Sequence, residues 1–172
     1  MKRLPLFLAA LMLGTAPIAP ALAREAVTAD YAVGPQYDTT HVYVAPEDFD
    51  RFVTSLIATF GGTATKKGAF QVTPTTSMTW SQLVLTKAGS VSVFGFTTPI
   101  PYPFGVERNG YLVSDMDAAV NAAVASGAAR LITTFPDPIG RDAVVHWPGA
   151  VHIPLYSHPT TPNYPPPPTL AD

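Results

Sequence analysis

The sequence predicts an α+β fold built from two β-α-β-β-β modules, and three observations predict it. The first is a stretch in which Phe49, Phe52, Val53, Leu56, Ile57 and Phe60 recur at the spacing of one helix face. The second is that this face recurs: Met116, Ala119, Val120, Ala123 and Val124 repeat its first five apolar positions 67 residues later. Two copies of one unit are the simplest explanation. The third is the surroundings of each face, a strand-like stretch before it and short strand-like stretches after it, separated by turn residues.

In the first module, His41 to Val44 reads as a strand and Pro46 suits a first helical position, where its missing N–H costs nothing. Glu47 and Asp48 put negative charge at the positive end of the helix dipole, and Gly61 can close the helix in the left-handed conformation. Thr63 to Thr79 is polar, with Pro74 in its midst, which predicts an edge strand around Phe70 to Thr73. Trp80 to Thr86 and Val91 to Phe96 form a hairpin about a turn at Lys87 to Ser90. Gln82 is expected opposite Phe94, its amide aimed at the same face.

Pro99, Pro101 and Pro103 interrupt the next segment, which can neither continue a helix nor pair centrally in a sheet, so residues 97 to 109 read as an extended connector. The second module opens with Gly110 to Val113. Ser114 reads as its helix N-cap, with Asp117 three residues later, and Gly127 as its stop. Leu131 to Phe135 is the next strand. Asp137-Pro138-Ile139-Gly140 then has Asp, Pro and Gly at the first, second and fourth positions of a type I turn. Arg141 to Trp147 and Ala150 to Tyr156 close the module about Pro148-Gly149. Neither half can bury its sheet alone, so side by side they predict one open barrel, helices outside and a cleft inside.

Outside the repeats, Met1 to Ala23 has a short basic start at Lys2 and Arg3, an apolar stretch from Leu4 to Leu13, and Ala21-Leu22-Ala23 as an A-x-A site. That pattern predicts a secretory signal peptide and export to the periplasm or beyond, with no membrane attachment after cleavage. Residues 24–40 form a lead-in without periodicity. Module one then spans 41–96, the connector 97–109 and module two 110–158, and residues 159–172 make a proline-rich tail outside the core. The chain has no cysteine, which excludes disulfides, thiolate chemistry and a lipoprotein anchor. Its formal net charge of −2 becomes −4 without Lys2 and Arg3, and no basic run is longer than Lys66-Lys67, so a nucleic-acid partner has no electrostatic basis.

The duplicated helix, the Asp137-Pro138-Ile139-Gly140 turn and the strand ends Ser92-Val93-Phe94 and Pro154-Leu155-Tyr156 resemble the vicinal oxygen chelate superfamily, which includes glyoxalase I, bleomycin-resistance proteins and extradiol dioxygenases. The resemblance covers His41 to about His158 and implies a glyoxalase-like domain around an inter-module cleft. It also implies where a metal would sit in metal-using members, at the first and last strand of each module. Here those positions align with His41, Gly110, Ser92 and Pro154, and only His41 is a competent ligand. Zn²⁺ or a similar ion needs at least three protein donors, so no metal cofactor is expected. His41 is the single candidate ligand and the single candidate catalytic residue, as a general base.

The candidate cleft residues are His41, Gln82, Ser92, Phe94, His152 and Tyr156. His152 and His158 are six residues apart, ~20 Å along a strand, and cannot share an ion. His146 and His152 flank a turn and face each other only in one register. Trp80, Phe94, Phe96, Tyr102 and Tyr156 read as core and rim packing rather than as a designed aromatic box. The expected function is small-molecule binding in the cleft. The alternatives are a metal-dependent lyase, isomerase or dioxygenase using His41, with Gln82 and His152 in a rearranged set, and a homodimeric interaction module.

Overall fold

The computed structural model describes residues 29–31, 40–86, 88–107 and 109–159. The expected signal peptide, most of the lead-in and the tail beyond Pro159 lie outside the described residues. Module one runs β1 (Thr40–Tyr43), α1 (Phe49–Phe60), β2 (Thr63–Ala64), β3 (Gly68–Phe70), β4 (Thr79–Thr86) and β5 (Gly89–Phe96). Module two runs β6 (Tyr111–Leu112), α2 (Met116–Ala125), β7 (Ala129–Pro136), β8 (Arg141–Trp147) and β9 (Val151–Ser157).

The two modules form separate sheets, ordered β1-β5-β4-β2, with β3 also on β4, and β6-β9-β8-β7. In each, the strand before the helix lies parallel to the last strand of the module. The correspondence is residue by residue. Val44 N–H donates to the Phe94 carbonyl in one module and Val113 N–H to the Tyr156 carbonyl in the other. The two ladders then equate His41 with Gly110, Ser92 with Pro154 and Phe94 with Tyr156. This is the α+β, two-module architecture expected from the repeat, with the sheets side by side rather than hydrogen-bonded into a closed barrel.

Period-two alternation sorts the side chains of β5. Val91 and Val93 join Phe49, Val53 and Val84 beneath α1, whereas Ser92 and Phe94 face the other module. Module two repeats the plan, with Met116, Ala119, Val120 and Ala123 of α2 packed on Ala143, Val145 and Leu155. Fully burying each larger apolar side chain contributes about 1.5–3 kcal/mol. A smaller cluster of Leu83, Leu112 and Tyr156, with Leu85 against it, joins the modules.

Several local expectations are corrected. The N-cap of α2 is Asp115, whose carboxylate accepts from Ala118 N–H at 3.0 Å. Ser114 lies one residue too early, and its N–H and hydroxyl both donate to the carbonyl of Tyr31. Tyr31 belongs to the lead-in and packs partly buried against the α2 core. The edge strand after α1 comes earlier than expected, as β2 and β3, since residues near Pro74 form bends instead. Residues 102–106 of the connector fold into turns, Phe104 N–H bonding the Pro101 carbonyl, rather than running extended. Strand β5 begins at Gly89, two residues before Val91, so the β4–β5 hairpin pairs Thr86 with Gly89 and Gln82 with Val93, and Ser81, not Gln82, lies opposite Phe94.

Candidate functional site

The cleft expected between the modules is a hollow of about 390 Å³. Its walls are the inward faces of β4, β5, β8 and β9, and the Asp137-Pro138-Ile139 turn lies at its edge. That turn is held as its sequence predicts: Asp137 Oδ1 accepts from Ile139 N–H at 2.8 Å and from Gly140 N–H.

At one wall of the hollow lies a buried polar group. His41 of β1 is 8% exposed, with Phe94 edge-on to its ring at 5.2 Å and Tyr156 stacked on it at 6.0 Å and 24°. Its Nε2 is 3.5 Å from the Tyr156 hydroxyl. Its Nδ1 faces Oε1 of Glu107 at 3.6 Å, and the Tyr43 hydroxyl donates to that same oxygen. Glu107 is 1% exposed, and burying a carboxylate this deeply is tolerable only with such donors around it. Beyond Tyr156, His158 continues the stack at 5.9 Å and 15°.

Of the six candidate cleft residues, His41, Gln82, Ser92, Phe94 and Tyr156 line this hollow. Gln82 does so differently from the expectation: its pairing partner Val93 belongs to the α1 core, and its amide donates to the Thr65 carbonyl at 2.6 Å. His152 lines a different hollow, together with Tyr102, Val106 and Asn109. There it lies directly opposite His146, ring centroids 4.9 Å apart, and edge-on to Tyr102. Thus the two histidines share a face, but not with His41.

Glu107 and Tyr43 escape sequence reasoning. Tyr43 sits in a predicted strand with no spacing to mark it. Glu107 lies in a proline-rich connector without periodicity, between Val106 and Arg108, where nothing local marks it.

The four metal positions of the resembled superfamily are here His41, Ser92, Gly110 and Pro154. They supply one imidazole and one hydroxyl, and a side chain at Gly110 has no room: a Cβ there would lie 2.2 Å from the Tyr156 hydroxyl oxygen. Among the described residues no cluster of three or more His, Cys, Asp or Glu could hold an ion. This donor set does not fit a tightly held divalent metal.

No family model matches the sequence, and no curated protein matches it significantly. Among solved structures, methylmalonyl-CoA epimerase from Mycobacterium tuberculosis is similar at a TM-score of 0.61 and 16% identity, over 80% of this chain and 96% of that one. An uncharacterized protein from Methanosarcina mazei is similar at 0.57 and 17%, over 77% of this chain and 99% of that one. A mutant of 4-hydroxymandelate synthase from Streptomyces coelicolor is similar at 0.56 and 13%, over 84% of this chain and 54% of that one, so the present chain matches about half of that enzyme. At these identities the likeness is one of fold.

Proposed function

We propose that this chain, whose fold is the two-module fold of the vicinal oxygen chelate superfamily, binds a small organic molecule between its modules without using a resident metal. The observation that carries the reading is the hollow of about 390 Å³, in which apolar side chains such as Phe70, Leu83, Phe94 and Tyr156 alternate with polar ones such as Lys66, Gln82 and Asp142 around the buried His41. Binding sites of small molecules are of this kind, concave and apolar with a few placed polar groups. The volume suits a ligand of one or two rings. The reading includes export, supported by the basic, apolar and A-x-A pattern of Met1 to Ala23, so the ligand is met outside the cytoplasm.

The test is mass spectrometry of small molecules that copurify with the exported protein, compared between the native chain and a Leu83→Trp variant that fills the hollow from β4. A molecule retained by the first and lost from the second supports the reading. Equal retention by both, in a variant of unchanged circular dichroism, refutes it.

A further inference from the structure

We infer that His146 and His152 form a two-ring site for an exchangeable transition-metal ion, Cu²⁺ above all, at the second hollow and apart from the cleft at His41. The inference stands independently of the cleft reading.

The backbone sets the pair in place. Strands β8 and β9 pair without a bulge from Arg141 and Ser157 to Trp147 and Val151, which puts His146 directly opposite His152, one pair in from the turn. Gly149 and Ala150 close that turn at positive φ, 86° and 61°. Side chains directly opposite on antiparallel strands share one face of the sheet, with Cβ atoms about 4.5–5.5 Å apart. Here the two ring centroids are 4.9 Å apart and the rings are tilted by 47°. Two imidazoles that hold one ion through nitrogens about 2.0–2.1 Å from it have their centroids roughly 4.4–5.2 Å apart, from square-planar to tetrahedral angles. The observed separation falls inside that span.

The donors are also unspent. A neutral imidazole always keeps one nitrogen with a lone pair. Among the described residues, ring contacts account for every side-chain interaction of these two histidines, Tyr102 standing edge-on to His152 at 5.8 Å and 85°. An ion therefore displaces no protein hydrogen bond. The hollow of about 380 Å³ that His152 lines includes Asn109, an oxygen donor, and no Lys or Arg among its described lining residues, so nothing there repels a cation.

The donor type selects the ion. Imidazole nitrogens suit Cu²⁺, Ni²⁺ and Zn²⁺, and for a given site Cu²⁺ binds tightest of the three. Two rings do not make the closed site that three or four protein ligands give. The ion exchanges with solvent, water fills its remaining positions, and purification without added metal strips it.

The test titrates copper(II) sulfate by calorimetry into the full chain and its His146→Asn and His152→Asn variants, with electron paramagnetic resonance of the one-to-one complex. The native protein is expected to bind one Cu²⁺, more tightly than Zn²⁺, with two imidazole nitrogens in the copper spectrum. Each variant is expected to bind more weakly by at least the roughly 10–100-fold that loss of an outer-shell partner alone costs, its circular dichroism unchanged. Copper bound no more tightly than about 1 mM overturns the inference, as does copper binding that neither substitution weakens. Loss in one variant alone also overturns it, since that is a single histidine acting without the other. Should the variants not fold, Zn²⁺ added to the native protein decides by imidazole nuclear magnetic resonance. Signals of His146 and His152 that move together while those of His41 and His158 stay still support the site, and any other pattern overturns it.

Discussion

Replacing Gly110 with alanine adds one methyl group where the structure has already placed Tyr156. The new Cβ would lie 2.2 Å from the phenol oxygen and 2.6 Å from Cε1 and Cζ of the ring. Ordinary van der Waals contact begins near 3.4 Å, so the hydroxyl must retreat by about 1.2 Å. It has little room to do so, since Tyr156 is 3% exposed and stacked between His41 and His158. Overpacking of this kind costs typically 1–3 kcal/mol, and the displaced contact with His41 Nε2 about 1 kcal/mol more. Alanine recovers about 0.4–1 kcal/mol by restricting the unfolded chain, because Gly110 is not among the glycines of positive φ. The expected net loss is therefore about 1–3 kcal/mol, read as a lower urea midpoint at unchanged slope. In a Tyr156→Leu background, which removes the clashing atoms, the same substitution should be close to neutral. Such coupling is what a double-mutant cycle isolates. A neutral Gly110→Ala in the native background, or an equal loss in both, would refute the claim that the phenol occupies that space.

Phe49→Ala should destabilise module one by about 3–5 kcal/mol, since Phe49 is 1% exposed at the centre of the α1 core; chemical denaturation checks it. Asp115→Ala should cost α2 about 0.5–2 kcal/mol through loss of its cap, more than Ser114→Ala at the position next to it, and thermal melts of the two variants rank them. His41→Ala should weaken a copurifying ligand by about 1–3 kcal/mol, measured by calorimetry. Elemental analysis of protein prepared without added metal should find far less than one zinc, iron, nickel or manganese per chain, and a stoichiometric ion lost on His41→Ala would shift the reading to a metal enzyme.

Helix faces and turns were legible because their signals are local. Phe49 to Phe60 and Met116 to Val124 announce their periodicity within a few residues, and Asp137-Pro138-Ile139-Gly140 carries its turn in its composition. Where two local signals competed, the fold decided: Ser114 reads as good a cap as Asp115, yet the helix starts one residue later and the Ser114 hydroxyl donates to the carbonyl of Tyr31, 83 positions away. Register failed for a similar reason. Moving the start of β5 by two residues changes which residue faces Phe94, and neither Gly89 nor Ser90 advertises that it pairs rather than turns.

The sequence by itself determined the repeat and the α+β class, because covalent spacing and hydrophobic period are properties of the chain alone; the alignment of His41 with Gly110 and of Ser92 with Pro154 was what the resemblance implied. Only the tertiary structure decided what surrounds His41. Glu107 reaches it from a connector 66 positions on, and Tyr156 from the last strand of the other module, 115 positions away. The same folding carried His152 against Tyr102, in a different hollow from His41. Such meetings arise from how two sheets pack side by side. Packing is governed by shape and buried area, which no periodicity in the chain encodes.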